Sequence, residues 1–418
     1  MTRTIAKKLA DVKPGTLFVG VDLGLERNVA IVITERAQRL AKIRFPHDQD
    51  GYAYFRRRLE RLQKRHQAPA VLVGMEPTHY FWKLLATNLE QHQVPYRLVN
   101  AYTVKKHREG DQLDRSKDDV RDAYTIADLL RTGKYTETQL LHGRYAELRH
   151  YSALYEQLRR EVGRHKNLLH NAVGQLFPEV RWEFKNLTGL AALAMLRHHA
   201  AASVIRQLSE EAFIAAVRAD FEGKRLCAAK LRRAHALAAT SVGLQDGIQA
   251  LQLMARQQIE ALAVFQRQWD DAGQAMIDTF LALPESRYLL SVHGLGLVTA
   301  AIILAEIGDP SRYRNGRQLV KLAGTQPVTN TSGRKSRSRT PMSHKGRPRL
   351  RSALFFAVMR LVQVDDAFAR EYLRLQQREK NPLTKMQALG ALMNRLLRIL
   401  WALMRHQTFY NPAFEHAV

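Results

Sequence analysis

Cysteine is almost absent: Cys227 is the only one in 418 residues. An intramolecular disulfide and a cysteine-built zinc site are therefore excluded, and the composition suits a reducing cytoplasm. No run of 18 uninterrupted apolar residues occurs; the nearest, Leu289 to Ala305, is broken by His293 and two glycines, so neither a membrane span nor a membrane partner is expected. The basic stretch Met1 to Lys8 lacks an apolar segment, so no secretory leader is expected either. The 16 histidines show no clear HxxxH or HxH spacing. Acidic residues are scarce: 39 against 65 Lys and Arg, a formal net charge of +26. A chain this basic is expected to meet a polyanion, nucleic acid first.

What is present falls into three parts: 1–138, 139–284 and 285–418. In the first, Leu17–Leu23 is an apolar run interrupted only by Asp22, as for a strand buried on both faces. Asn28 to Ile33 and Gln38 to Phe45 predict two more strands, followed by a helix from Gly51 to His66. A fourth strand, Ala70 to Met75, ends at Glu76. A helix from Tyr80 to His92 and a strand from Pro95 to Asn100 follow, then a basic connection to a helix opening at Asp119. Three meandering strands followed by crossovers imply a mixed α/β sheet flanked by helices. In the second part Leu148, Tyr151, Tyr155, Leu158, Val162, His165 (the odd member) and Leu169 fall at alternating three- and four-residue steps, and Leu176 follows one full heptad on, a heptad seam for its own chain or another copy. Leu244 to Leu281 is its candidate partner, closed by Pro284. The third part is all-α in pattern, with helices at Leu350 to Val364 and Leu383 to Met404.

The acids are the first candidate site. Asp119 and Asp122, three apart on a helix, share a face, and two close carboxylates repel unless a cation lies between them. A helix N-terminus also favours acids, and Ser116 with Asp119 has the spacing of a capping box. Asp122 could equally pair with Asp118, four residues away. Asp22 inside an apolar strand is costly unless paired or metal-bound. A ribonuclease H-like fold would make strands one and four neighbours and gather Asp22, Glu76, Asp119 and Asp122. Four oxygen ligands favour Mg²⁺ or Mn²⁺.

The second candidate lies in the C-terminal part. No acid occurs between Asp309 and Asp365. Within that gap Arg334, Lys335, Arg337, Arg339, Lys345, Arg347, Arg349 and Arg351 form a cationic segment without compensating charge, suited to a phosphate backbone. Upstream, Gly294 and Gly296 mark a helix–hairpin–helix turn, which exposes backbone N–H groups to a phosphate or is simply a tight turn.

Gly20-Val21-Asp22, Glu76-Pro77-Thr78-His79-Tyr80 and Lys117-Asp118-Asp119-Val120-Arg121-Asp122-Ala123 resemble the signature of the DEDD transposases of bacterial insertion sequences, relatives of the Piv-type DNA invertases. His293-Gly294-Leu295-Gly296, Leu304 to Asp309, Leu322-Ala323-Gly324, Ser332-Gly333 and Lys345 to Arg351 agree in order. The resemblance implies an N-terminal domain like the junction resolvase RuvC, a coiled-coil arm and a helical transposase domain. It implies that Asp22, Glu76, Asp119 and Asp122 form the metal-binding tetrad and that Ser332 is the nucleophile of a covalent phosphoserine intermediate. Lys117, the two glycines and the eight cations are then nucleic-acid contacts. It further implies Mg²⁺ or Mn²⁺, a guide (bridge) RNA, donor and target double-stranded DNA, and a homo-oligomer (a dimer, or a tetramer in the synaptic complex) with composite sites, acting in the bacterial cytoplasm at the nucleoid. By spacing alone Ser336, Ser338 and Ser343 compete with Ser332. The acids without a serine would suit a water-using junction resolvase or endonuclease, and a basic chain without either would suit a nucleic-acid scaffold.

Overall fold

The computed structural model describes residues 3–111, 118–136, 140–221, 225–328 and 341–412, with 331–332 and 335–336 by their backbone. The chain divides into two compact units, Met1–Leu141 and His142–Val418. The boundary expected at 138 thus falls at 141, and the one expected at 284 lies inside the second unit.

The first unit opens with α1 (Arg3–Ala10) and three strands, β1 (Leu17–Leu23), β2 (Arg27–Ile33) and β3 (Arg39–Pro46). Then come α2 (Gln49–Arg65), β4 (Val71–Met75), α3 (Phe81–Gln91), β5 (Tyr96–Leu98), α4 (Ala101–Asp111) and α5 (Asp119–Arg131). The sheet order is β3-β2-β1-β4-β5. β1 pairs antiparallel with β2 but parallel with β4, so the sheet is mixed. Alternation along each strand divides the core. Val19, Val21, Val73 and Met75 face the α2 and α3 side, whereas Phe18, Ile31 and Leu72 pack with Ile126 and Leu130 of α5. Each fully buried Val, Leu or Ile contributes about 1.5–3 kcal/mol of transfer free energy, which fixes the strand register: a one-residue slip would exchange the faces.

Among its described residues the second unit is helical apart from one short hairpin and the bridge between Pro327 and Met342 below it. Two 34-residue helices, α6 (Gly143–Leu176) and, after an insert, α12 (Ile248–Leu281), form its spine. The insert comprises α7 (Val180–Glu183), α8 (Leu190–His198), α9 (Ala202–Ile205), α10 (Glu210–Ala219) and α11 (Ala228–Ala239). Leu148, Leu158, Val162, His165, Leu169 and Leu176 of α6 are buried as the heptad spacing predicts, and the partner is α12 of the same chain. Arg144 at the start of α6 donates to the Ala282 carbonyl just beyond α12 (2.8 Å), and His165 Nδ1 bonds Gln258 (2.6 Å), so the helices run antiparallel. His165, the polar member of the seam, is thus satisfied within the pair and fixes its register. Beyond α12 lie α13 (Glu285–Leu290), α14 (Leu297–Ile307), α15 (Gly316–Ala323), the strands β6 (Thr331–Ser332) and β7 (Lys335–Ser336), then α16 (Pro348–Val364), α17 (Asp366–Gln377) and α18 (Lys385–His406). Leu148, Met276 and Phe280 share one core with α14, α16 and α18, so the C-terminal helices are built onto the spine. No helix among the described residues is long and apolar enough to cross a membrane.

One carboxylate closes the insert. Glu179 accepts from the Ser241 hydroxyl (2.6 Å) and from the Val242 N–H (3.0 Å). Burial pushes its pKa up, but these hydrogen bonds to the ionised form prevail and hold it below the ordinary carboxylate value. A folded-state pKa below the unfolded one stabilises above the unfolded value and is lost as pH falls through the folded one. Protection from hydrogen exchange in residues 180–240, taken relative to the intrinsic amide rate at each pH, should therefore fall as the pH drops below about 4.5, and Glu179→Gln should remove that acid dependence while lowering protection at neutral pH.

Candidate active site

Within β1 and β4, Gly20 lies opposite Gly74 and Val21 opposite Met75. Asp22 is the next residue of β1 and Glu76 follows β4 directly, so both lie toward the C-terminal end of two adjacent parallel strands. Phe18 and Leu72 face α5, so the two-residue strand period puts Gly20, Asp22 and Gly74 on that face as well. Helix α5 lies directly on the β1 backbone: a Cβ on Gly20 would stand 2.0 Å from the Ala123 carbonyl oxygen and 2.4 Å from the Ala127 nitrogen. Tyr124 donates to the Ala37 carbonyl (3.2 Å) and Arg131 to that of Glu35 (3.3 Å), both beyond the far end of β2. α5 therefore runs antiparallel to β1. Its first turn, with Asp119 and Asp122, reaches the sheet end that carries Asp22 and Glu76.

The four acids differ in environment. Asp122 is 7% exposed, Asp22 and Glu76 are half-buried, and Asp119 is exposed. Asp22, Glu76 and Asp122 each have interaction partners. The donor set is oxygen-only, which fits a hard divalent cation. Among the described residues no three His, Cys, Asp or Glu side chains close into a group that could hold a metal ion. Asp22, Glu76 and the first turn of α5 thus lie toward one end of the sheet, without an enclosed coordination sphere among the described residues. Asp118 is the N-cap of α5 and accepts from the Val120 N–H (3.2 Å), so its carboxylate is turned back onto the helix. The capping box considered for Ser116 has its cap at Asp118, and Ser116 lies outside the described residues.

One supporting residue carried no signal in the sequence. His47 Nε2 lies 2.8 Å from the Gly24 carbonyl oxygen, so that nitrogen holds the proton and donates. Nδ1 is then the acceptor, 3.1 Å from the Tyr52 hydroxyl. Burial, followed by the nearby Asp48 charge, pushes the Tyr52 pKa up to about 12 and keeps that hydroxyl a donor. The His47 ring also stacks on Phe81, with centroids 4.2 Å apart. His47 thus ties the turn after Asp22 to the helix that follows Glu76. Nothing in the local pattern around Phe45-Pro46-His47 marks it, because its partners come from three separate elements.

The serine segment is carried by a stem. Val328 N–H donates to Pro341 (2.8 Å), Ser343 N–H to Gln326 (2.9 Å), His344 N–H to Gly324 (2.9 Å) and Arg347 N–H to Leu322 (2.8 Å). The stem is clamped where Gly346 meets the turn after α15: a Cβ there would stand 2.3 Å from the Gly324 nitrogen. Above it β6 and β7 form a hairpin with Ser332 opposite Lys335, where the sequence suggested only a loop. Lys117, Arg334, Arg337 and Arg339 lie outside the described residues, and so does Ser338.

The expectation of an uncompensated cationic segment is corrected in part. Buried Glu306 of α14 stands 3.8 Å from Arg347 and 3.7 Å from Arg349. Arg347 also donates to the Glu306 carbonyl, and Arg351 donates to that of Ala323 (3.0 Å). The compensating acid sits just outside the acid-free stretch, and helix packing brings it back. Arg149 of α6 donates to the Ala305 (2.9 Å) and Glu306 (2.8 Å) carbonyls; burial, then the neighbouring Arg347 charge, lowers its pKa to about 10. Lys345 is exposed. In the Gly-x-Gly turn, Gly294 has φ +92° and a Cβ there would meet Val364 at 2.3 Å, whereas Gly296 caps α14 with open space around it.

Comparison with known proteins covers both ends of this geometry. A model of the IS110-type DEDD transposases matches residues 19–178, and a model described as the transposase IS116/IS110/IS902 family matches residues 286–374. The transposase ascribed to the IS117 mini-circle of Streptomyces coelicolor is 26% identical over 77% of this chain and 78% of its own. A 42 kDa protein of insertion element IS900 from Mycobacterium paratuberculosis is 24% identical over 95% of this chain and 98% of its own. The pilin gene-inverting protein of Moraxella lacunata is 33% identical over 29% of this chain and 38% of its own.

Proposed function

We propose, from the premise that this chain belongs to the IS116/IS110/IS902 family of transposases, enzymes that cleave and join DNA, that it mobilises its insertion sequence through a covalent phosphoserine intermediate. What supports this reading is the mixed sheet in which Asp22 near the end of β1, Glu76 just after the adjacent parallel β4 and the first turn of α5 lie toward one end, together with a backbone hairpin that includes Ser332. The DEDD family implies a divalent metal. Asp22, Glu76, Asp119 and Asp122 would hold Mg²⁺ or Mn²⁺, which when bound supplies charge neutralisation at the scissile phosphate.

The Ser332 oxygen attacks phosphorus and its bond to the DNA 3′ oxygen breaks. The serine loses its proton, the leaving oxygen gains one, and the 5′ phosphate stays on the protein. Attack by a free 3′-hydroxyl on the phosphoserine then joins strands and returns the serine. Lys335, Lys345 and the arginines around them offset phosphate charge during both steps. Gly294 and Gly296 open the N-terminus of α14 to a phosphate oxygen. A guide RNA pairing with donor and target DNA selects the sites, and a homo-oligomer supplies acids and serine from different copies. The heptad seam of α6 is filled by its own α12, so assembly uses other surfaces.

The test is adduct trapping on a nicked suicide substrate. Wild-type protein should form a denaturation-resistant protein–DNA species, Ser332→Ala none, and a defined RNA should copurify with both. An undiminished adduct in Ser332→Ala removes the serine assignment. Cleavage that survives in Ser332→Ala but is lost in Asp22→Asn would favour a water-using nuclease.

A further inference from the structure

The helical insert lies outside both family matches, which end at 178 and resume at 286. Its Phe184, Met195, Ile205, Phe213 and Leu231 are buried in one core with Leu169 and Leu176 of α6 and Ile259 and Leu262 of α12, so the insert is packed onto the spine. A domain that only braced the arm would need no special surface. This one carries a groove of about 820 Å³ between α7, α8 and α11. On its rim Trp182 is 71% exposed, an unusual cost for the largest apolar side chain.

The charge around that ring is one-sided. Lys185, Arg225, Lys230 and Arg233 line the groove with Glu183 as the single carboxylate. Glu183 is taken by Arg233 at 2.7 Å. Lys185, Arg225 and Lys230 have no carboxylate partner among the described residues and are exposed. An exposed indole face beside three uncompensated cations is the arrangement that holds an unpaired nucleotide, with a base stacked on the ring and the flanking phosphates on the cations. A duplex offers no free base face, and an acidic peptide would use the cations but leave the ring unexplained.

We propose that this insert groove is a binding site for single-stranded nucleic acid, centred on Trp182 and flanked by Lys185, Arg225 and Lys230. The site is separate from the strand-exchange chemistry and does not depend on the assignment of Ser332 or the acids.

The chain carries its own reporter. Cys227 is the only cysteine, is exposed, and lines this groove. Full-length protein labelled there with a maleimide fluorophore is titrated with oligouridylate and with oligodeoxythymidylate of about 12 nucleotides, with a duplex of the same length and with polyglutamate. Both single strands should shift the emission to saturation. With three phosphate contacts, the midpoint should weaken about 20-fold between roughly 50 and 200 mM salt. Trp182→Ala should weaken it about 10-fold, Trp182→Phe should retain most of the affinity, and the Lys185→Glu/Lys230→Glu pair should abolish it. Ser332→Ala should bind as wild type, which keeps this result distinct from the adduct experiment. A lower midpoint for the uridylate assigns RNA through its 2′-hydroxyl, and equal midpoints assign any unpaired strand. Equal response to duplex or polyglutamate, or an unchanged midpoint in Trp182→Ala, overturns the proposal.

Discussion

Gly20→Ala is expected to destabilise the N-terminal unit by about 3 kcal/mol and to lower strand exchange about 100-fold. The added methyl would stand 2.0 Å from the Ala123 carbonyl oxygen and 2.4 Å from the Ala127 nitrogen. Both are backbone atoms of α5, so no side-chain rotation relieves the clash. The helix must lift from β1 as a body. That uncovers the contacts of Phe18, Ile126 and Leu130, and it moves Asp119 and Asp122 away from Asp22 and Glu76. Differential scanning calorimetry should show the first unit melting about 10 °C lower, with the second unit unchanged because it has its own core. An alanine variant with wild-type stability and strand exchange would show that α5 does not rest on this glycine.

The second large effect is expected for Glu306→Gln, a loss of about 2 kcal/mol in the C-terminal unit. Removing one partner of a fully buried pair costs about 3–5 kcal/mol, but Arg347 and Arg349 are 29% and 42% exposed, so solvent screens part of it. The amide keeps the volume and loses the charge, leaving Arg149, Arg347 and Arg349 around a neutral group. Their mutual repulsion should make the variant unusually salt-responsive. Raising salt from about 50 to 500 mM should recover a large part of the lost stability, because the screening length falls. A DNA phosphate should do the same, so the variant should gain more thermal protection from DNA than wild type does. A variant whose deficit ignores both salt and DNA would mean that Glu306 acts through packing alone.

Much of the N-terminal unit was legible because its strands carry unbroken apolar runs. Leu17–Leu23 matched to the residue, and Asp22 stood out as the one charge inside it. The heptad seam of α6 was legible for the same reason, and so was its candidate partner, Leu244 to Leu281, which forms α12; period gives a face, so whether the pairing lay within one chain or between copies was not legible. Helix α4 was missed because Lys105, Lys106 and His107 interrupt any apolar stripe, so its local pattern suggests a basic connection. The hairpin of Ser332 was missed because two-residue strands leave no periodicity to detect. The role of Glu306 was hidden by distance in sequence: it precedes Arg347 by 41 residues, and only the packing of α14 against α16 joins them. Acids and glycines that work through local backbone geometry announce themselves; those that work through tertiary neighbours do not.

The route of the chain through the insert has an evolutionary corollary. The polypeptide leaves the spine at Phe177 and returns at Leu244, whose N–H donates to the Gln175 carbonyl (2.9 Å). Departure and return are therefore one hydrogen bond apart, and Glu179 fastens the same neck through Ser241 and Val242. A loop closed at its neck costs its host little whatever its length, since the closure entropy grows only logarithmically. The insert is thus closed at its neck while its inner side shares a core with Leu169, Leu176, Ile259 and Leu262 of the spine. A lineage can vary the outward side of such an element while the residues that pack on the antiparallel spine stay fixed, so its outer surface is free to diversify where its base is not.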